Sequence, residues 1–128
     1  MKVVLCCGCF DILRIGHLLH LKEAKTYGDE LVVAVTSDWY ASRKGPGRPR
    51  FTWEHRAQML RELRCVDEVI YYEGPLPDDV IRRVKPAVYV KGNDYSVVPE
   101  QQLVESFGGK VVFTTAPKWS SSELVSLV

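Results

Sequence analysis

MKVVLCCGCFDILRIGHLLHLKEAKTYGDELVVAVT, residues 1–36, changes its periodicity twice and thereby decides the fold. Lys2 to Cys6 and Glu30 to Thr36 are β-branched and apolar almost without interruption, the pattern of strands covered on both faces. Between them Leu18, Leu21 and Ala24 recur at three-residue spacing, as the buried stripe of a helix does, and Gly28 is a natural stop. A strand, a crossover helix and a second buried strand make a parallel βαβ unit with a right-handed crossover.

The same alternation continues along the chain. Buried strands are expected at Asp67 to Tyr71, Ala87 to Lys91 and Lys110 to Thr114, which brings the total to five. Trp53, Ala57, Leu60 and Leu63 repeat at helical spacing. Pro77 with Asp78 and Asp79 opens a shorter helix that Lys85-Pro86 closes, and Pro99-Glu100 opens another that Gly108-Gly109 ends. Ser120 with Glu123 has the capping-box spacing of a last helix. No internal repeat is present. The expected architecture is α/β: a single Rossmann-like, doubly wound domain over residues 1–128, with a five-stranded parallel sheet and helices on both faces.

Composition agrees and narrows the partners. A chain of 128 residues, 46% hydrophobic and 26% charged, has the balance of one globular domain. Seventeen Lys plus Arg against sixteen Asp plus Glu leave a formal charge of +1, so no global field draws nucleic acid or an anionic membrane, and any anion site is local. Apolar stretches such as Leu31 to Val35 fall far short of the roughly 20 residues that span a bilayer. Met1-Lys2 leads straight into a strand, without the apolar region or cleavage site of a secretory signal, and a cytoplasmic setting is expected. The four cysteines, three of them bunched at Cys6, Cys7 and Cys9 with Cys65 far away, do not form a spaced disulfide framework, so reduced thiols are expected.

Ligands of an open parallel sheet bind beyond the carboxyl ends of its strands, so the residues after each run carry the functional signal. After the first strand come Gly8-Cys9-Phe10-Asp11 and then Arg14-Ile15-Gly16-His17, running into the first helix. Glycine admits backbone N–H groups close to a phosphate, the helix start adds partial positive charge, and Arg14 and His17 add side-chain donors. This is anion-binding equipment without the GxxxxGK[ST] of a P-loop or the GxGxxG of a dinucleotide fold. ASRKGPGRPRF, residues 41–51, has no periodicity and reads as a loop long enough to act as a lid.

GCFDILRIGH, residues 8–17, resembles the GxFDxxHxGH signature of the cytidylyltransferase-like nucleotidyltransferases, which join a nucleotide to a phosphorylated small molecule and release pyrophosphate. GDELVVAVTSD at 28–38, WEHR at 53–56, VDEVI at 66–70 and VKGNDY at 90–95 resemble further family segments in the right order. WEHR followed by RCVDEVI is similar to glycerol-3-phosphate cytidylyltransferases, whereas KGPGRP and VKGNDY look more like the adenylyltransferase that activates heptose 1-phosphate; ATP is favoured over CTP on that basis. The resemblance implies a catalytic role for His17, which would donate to the phosphates in the transition state, and for Arg14 and Lys44, the latter closing over the phosphates from the loop. It implies nucleotide contacts from Gly8, Cys9, Phe10 and Gly16, from Arg56 in WEHR, from Lys91 and Asp94 in VKGNDY, and from Ser120, Ser121 and Ser122 in place of the family's Ser-Thr-Thr run. It also implies a homodimer and a Mg²⁺ ion carried with the nucleotide rather than in a protein cage.

Two departures from the family pattern stand out. The first histidine of HxGH is Arg14, which keeps a donor and gains a permanent charge but is longer than histidine and cannot act as a neutral imidazole. A nucleotide-binding module that has lost catalysis is the alternative this raises. Thr115-Ala116-Pro117-Lys118-Trp119 stands where the cytidylyltransferase pattern has an arginine before the hydroxyl run. Other chemistries remain open on the residues alone. Cys6 and Cys9 form a CxxC, but it has no second pair and Cys6 belongs to an expected buried strand, so no metal site is expected. His20 reads as a helix-surface residue, and Asp11 either caps the following turn or touches ligand. Gly47-Arg48-Pro49-Arg50 resembles minor-groove arms, yet one copy at a net charge of +1 argues for a phosphate-closing lid instead.

Overall fold

The computed structural model describes residues 1–93 and 98–116. Along the chain it runs β1 (Val3–Gly8), α1 (Ile15–Lys25), β2 (Glu30–Thr36), α2 (Asp38–Ser42), α3 (Trp53–Arg61), β3 (Glu68–Tyr72), α4 (Asp78–Val84), β4 (Val88–Lys91), α5 (Gln101–Ser106) and β5 (Lys110–Phe113). The five strands form one sheet in the order β3-β2-β1-β4-β5, and every pairing is parallel. The doubly wound α/β architecture is therefore present, and the strand order reverses at β1, where β1 lies between β2 and β4. That switch point is where an open parallel sheet leaves a crevice beyond its carboxyl edge.

Side-chain alternation sorts the core into two layers. Val4, Cys6, Val33, Val35 and Val90 pack with Leu21 and Ala24 of α1 and Ala57 and Leu60 of α3. Leu5, Val32, Ala34 and Tyr89 pack on the opposite face with Val80 and Ile81 of α4 and Val104 of α5. Both faces are covered, so the strands have no polar side to present, and this explains their unbroken apolar runs.

β1 extends two residues past the expected end at Cys6, because Cys7 and Gly8 still pair with Ala34 and Val35. The segment expected to be loop from Ala41 begins instead inside α2. Ser37 caps this five-residue helix by accepting from the Tyr40 N–H at 3.1 Å, and so short a helix has no periodicity to read. The helix expected from Ser120 lies outside the described residues. Among the described residues no helix is long and apolar enough to cross a membrane.

Candidate active site at the carboxyl edge of the sheet

β1 ends at Gly8, and Phe10 follows in a left-handed conformation, φ 50°. This bend folds the Phe10 ring back over Gly8, where an added Cβ would meet ring atoms at 2.8 to 3.3 Å. Gly8 is thus required by its neighbour's ring as much as by any ligand. The other side of the Phe10 ring meets His17 edge-on, with centroids 5.4 Å apart. Phe10 is buried and holds the histidine ring from one side.

Arg14 is the N-cap of α1, in extended conformation, and its backbone N–H donates to His17 Nδ1 at 3.3 Å. Arginine has no acceptor, so only this half of a capping box can form. The bond fixes the tautomer: with Nδ1 accepting, the neutral ring carries its proton on Nε2 and is a hydrogen-bond donor there. Gly16, between them, is buried in the first turn. One turn further along, His20 Nδ1 lies 2.8 Å from Thr114 Oγ1, just past β5, so this histidine ties α1 to the sheet edge.

Asp11 neither caps the turn nor stands free for a ligand. Its buried carboxylate accepts from Arg48 Nε at 2.9 Å, from the Arg50 N–H at 2.8 and 2.9 Å, and from the Phe51 N–H at 3.0 Å. Burial works to raise its pKa, but the Arg50 and Phe51 N–H groups and Arg48 outweigh it and hold the carboxyl below its ordinary value. The basic loop is therefore clasped at its far end, while Lys44, near its start, is exposed.

Arg56 is held by protein partners on three sides. It is fully buried on α3 and donates from Nη1 to the Cys9 carbonyl at 2.9 Å, from Nε to the Phe51 carbonyl at 3.0 Å, and from Nη2 to Asp38 at 2.7 Å. Its donors brace the end of β1, the loop and α2 against one another. Trp53, at the start of the same helix, donates to the Val35 carbonyl at 3.1 Å.

On the face opposite α1, the same edge opens into a cavity of about 360 Å³. Gly8 and Cys9 form its inner rim, and Lys44 and Lys91 also line it. Lys91 Nζ lies 4.0 Å from Glu100 Oε1 and 5.8 Å above the centre of the Tyr89 ring, while Tyr89 donates to the same Glu100 oxygen at 2.7 Å. Burial is the main reason the thiol of Cys7, also on this wall, is pushed up to about 12 and that of Cys6 higher still. Both are protonated at neutral pH, and they point into opposite core layers.

The structure thus brings together Gly8, Cys9, Phe10, Arg14, Gly16 and His17 at one turn, and Lys44 and Lys91 line the cavity that Gly8 and Cys9 also line. Asp94, Ser120, Ser121 and Ser122 lie outside the described residues. Sequence reading missed Thr36, Tyr72, Tyr89 and Glu100, all lining the cavity. The signal was available for Thr36, the polar last residue of a strand expected to be buried, at the edge where ligands bind, whereas Tyr72 lies one residue past the expected end of its strand at Tyr71.

Comparison with known proteins agrees with this geometry. The family model described as cytidylyltransferase-like matches residues 5–124. A "Bifunctional protein HldE" of Geobacter metallireducens is 43% identical over 117 residues, covering 89% of this chain and 24% of the relative. Its counterpart in Pseudomonas fluorescens is 46% identical over 113 residues, covering 86% and 24%. The chain thus spans about a quarter of the length of these curated relatives. Among solved structures, a lipopolysaccharide core biosynthesis protein from Thermoplasma volcanium superposes with a TM-score of 0.77 at 33% identity, over 94% of this chain and 99% of the other. A pantoate-beta-alanine ligase from Francisella tularensis, at 18% identity and a TM-score of 0.62 over 88% of this chain and 58% of its own, shares the fold. With a family model covering nearly its whole length and the motif residues gathered at one turn of the sheet edge, the chain belongs to the cytidylyltransferase-like family.

Proposed function

We propose that the protein transfers a nucleotidyl group from ATP to a phosphorylated sugar and releases pyrophosphate. The observation that carries this reading is the β1–α1 turn. There a histidine held as an Nε2–H donor by the Arg14 N–H stands beside the ends of the strands, with Lys44 across the rim formed by Gly8 and Cys9. The relatives named HldE and the lipopolysaccharide core biosynthesis protein support a sugar phosphate as acceptor, and the KGPGRP and VKGNDY segments support ATP over CTP.

In the proposed reaction the nucleotide lies over the turn with its phosphates at the start of α1, where unpaired N–H groups and the helix dipole favour negative charge. The acceptor phosphate approaches from the cavity side, steered by Lys44. One of its oxygens bonds to the α-phosphorus as the bond from that phosphorus to the bridging oxygen breaks, and the pyrophosphate takes the electron pair. His17 Nε2–H and the Arg14 guanidinium meet the charge that gathers on the phosphoryl oxygens. Catalysis is then positioning and electrostatics, with no covalent step on the protein. Mg²⁺ would travel on the triphosphate and neutralise part of its charge; among the described residues no group of three His, Cys, Asp or Glu is placed to cage an ion. A homodimer, which the family resemblance implies, belongs to the same proposal, as does the cytoplasmic setting expected from the sequence.

The test is pyrophosphate release from ATP and from CTP, with Mg²⁺ and a panel of sugar 1-phosphates beside glycerol 3-phosphate. The expected result is release from ATP with a sugar 1-phosphate. Release from CTP with glycerol 3-phosphate alone would move the protein to the other branch, and no release with any pair would overturn the reading.

A further inference from the structure

The cavity floor is built from side chains on one face of four strands, stepped along them. Tyr72 of β3 and Thr36 of β2 are register partners, Cys7 of β1 pairs with Ala34, two residues before Thr36, and Tyr89 of β4 pairs with Leu5, two residues before Cys7; all four line the cavity. Thr36 is buried, and its hydroxyl has no hydrogen-bond partner among the described residues. A buried hydroxyl in that state is costly unless something else satisfies it, and an orphan beside a cavity points to a ligand group that does. Glu100, also buried, faces the same space; its contacts with Tyr89 and Lys91 both use Oε1, which leaves Oε2 as an acceptor. Tyr40, Pro75 and Pro99 give the walls apolar surface.

Resting on the nucleotidyltransferase reading, we propose that this cavity is a carbohydrate subsite in which the hydroxyls of Thr36 and Tyr72 and the carboxylate of Glu100 bind the hydroxyl groups of the acceptor's sugar. The chemistry separates acceptor classes by charge and by depth. Lys44 at the rim favours the phosphate end. Deeper in, a carboxylate and two neutral hydroxyls suit a partner that both donates and accepts, as a sugar hydroxyl does. An apolar tail would leave the Thr36 hydroxyl unpaired. The aromatic and proline walls suit the C–H faces of a sugar ring. A cavity of about 360 Å³ falls within the range of small-molecule sites.

The experiment is calorimetric titration of the full chain with three probes: a panel of hexose and heptose 1-phosphates, inorganic phosphate, and a non-hydrolysable ATP analogue with Mg²⁺. A sugar phosphate is expected to bind more tightly than inorganic phosphate. Thr36→Val, which keeps the shape and removes the orphan hydroxyl, is expected to weaken the sugar phosphate about fivefold while leaving inorganic phosphate and the ATP analogue unchanged. Tyr72→Phe is expected to act likewise, and Thr36→Ser to retain the parent's affinity. The subsite is overturned if no sugar phosphate binds more tightly than inorganic phosphate, or if Thr36→Val weakens all probes alike or none. If the sugar phosphate and its variants behave as expected but the ATP analogue does not bind, the subsite stands and the nucleotidyl reading falls.

Discussion

The backbone N–H of Arg14 donates to Nδ1 of His17, so the residue that departs from the family motif orients the residue that keeps it through an atom that side-chain identity does not alter. The bond sets His17 as an Nε2–H donor, with the Phe10 ring closing off one side. The first prediction follows from that assignment. His17→Ala is expected to lower kcat for pyrophosphate release by roughly 100- to 1000-fold, the usual cost of one preorganised donor to a developing negative charge. Unfolding midpoints in urea should differ little. A variant with near-parental kcat would remove His17 from the reaction.

Arg56 separates a structural from a phosphate-binding role. Three of its nitrogens hold the Cys9 carbonyl, the Phe51 carbonyl and Asp38. Lysine has one nitrogen at its tip and cannot bridge all three, so Arg56→Lys leaves buried carbonyls unpaired. The expected loss of stability is about 2–4 kcal/mol, read from urea denaturation. Full retention of stability together with lost ATP binding would show instead that the guanidinium leaves its brace to meet the phosphates.

The Asp11 clasp predicts a pH dependence. The carboxyl is held below its unfolded value of about 3.9, so its contribution is fully present above that pH and is lost as pH falls through the lowered folded value. Asp11→Asn is expected to destabilise the protein by about 1–2 kcal/mol at pH 7, through weaker bonds to Arg48, Arg50 and Phe51. The gap between the two proteins should narrow as the pH falls through the lowered folded value. A gap that stays constant with pH would mean that the charge of Asp11 contributes nothing.

These residues also mark how far the sequence could be read. The βαβ alternation was legible because strands buried on both faces must be continuously apolar, whereas the return of the chain from β3 to set β4 beside β1 was not. The β1–α1 turn was legible because its ten residues are local. Arg56 and Asp11 were not, since their partners lie 47 and 37 residues away along the chain, at Cys9 and Arg48. A charged side chain near a phosphate site and one that braces the site have the same letter. Thr36 and Tyr72 become neighbours only through strand register, so the cavity they line was invisible to a reading of one segment at a time.

Lys44 lines the cavity from an exposed position on the loop, away from the core. Lys44→Ala is therefore expected to leave stability within about 0.5 kcal/mol of the parent while lowering kcat/KM for the acceptor roughly tenfold or more through lost charge at the reacting phosphate. Thermal unfolding and initial rates at varied acceptor concentration check both halves. A change confined to stability would place the lysine outside the site.

Position 14 distinguishes an adapted enzyme from one that has lost its chemistry. Because the bond to His17 comes from the main chain, Arg14→Ala and Arg14→His both preserve it, and the His17 ¹⁵N signals should report the same tautomer in all three proteins. Any change in rate then belongs to the side chain at position 14. If the guanidinium meets charge on the phosphoryl oxygens, Arg14→Ala lowers kcat by about 10- to 100-fold, and Arg14→His recovers only part of it, since imidazole is shorter and lacks the permanent charge. If arginine instead marks lost catalysis, the parent releases no pyrophosphate and Arg14→His creates the activity. The two outcomes have opposite signs, so one pair of variants assayed beside the parent decides between them.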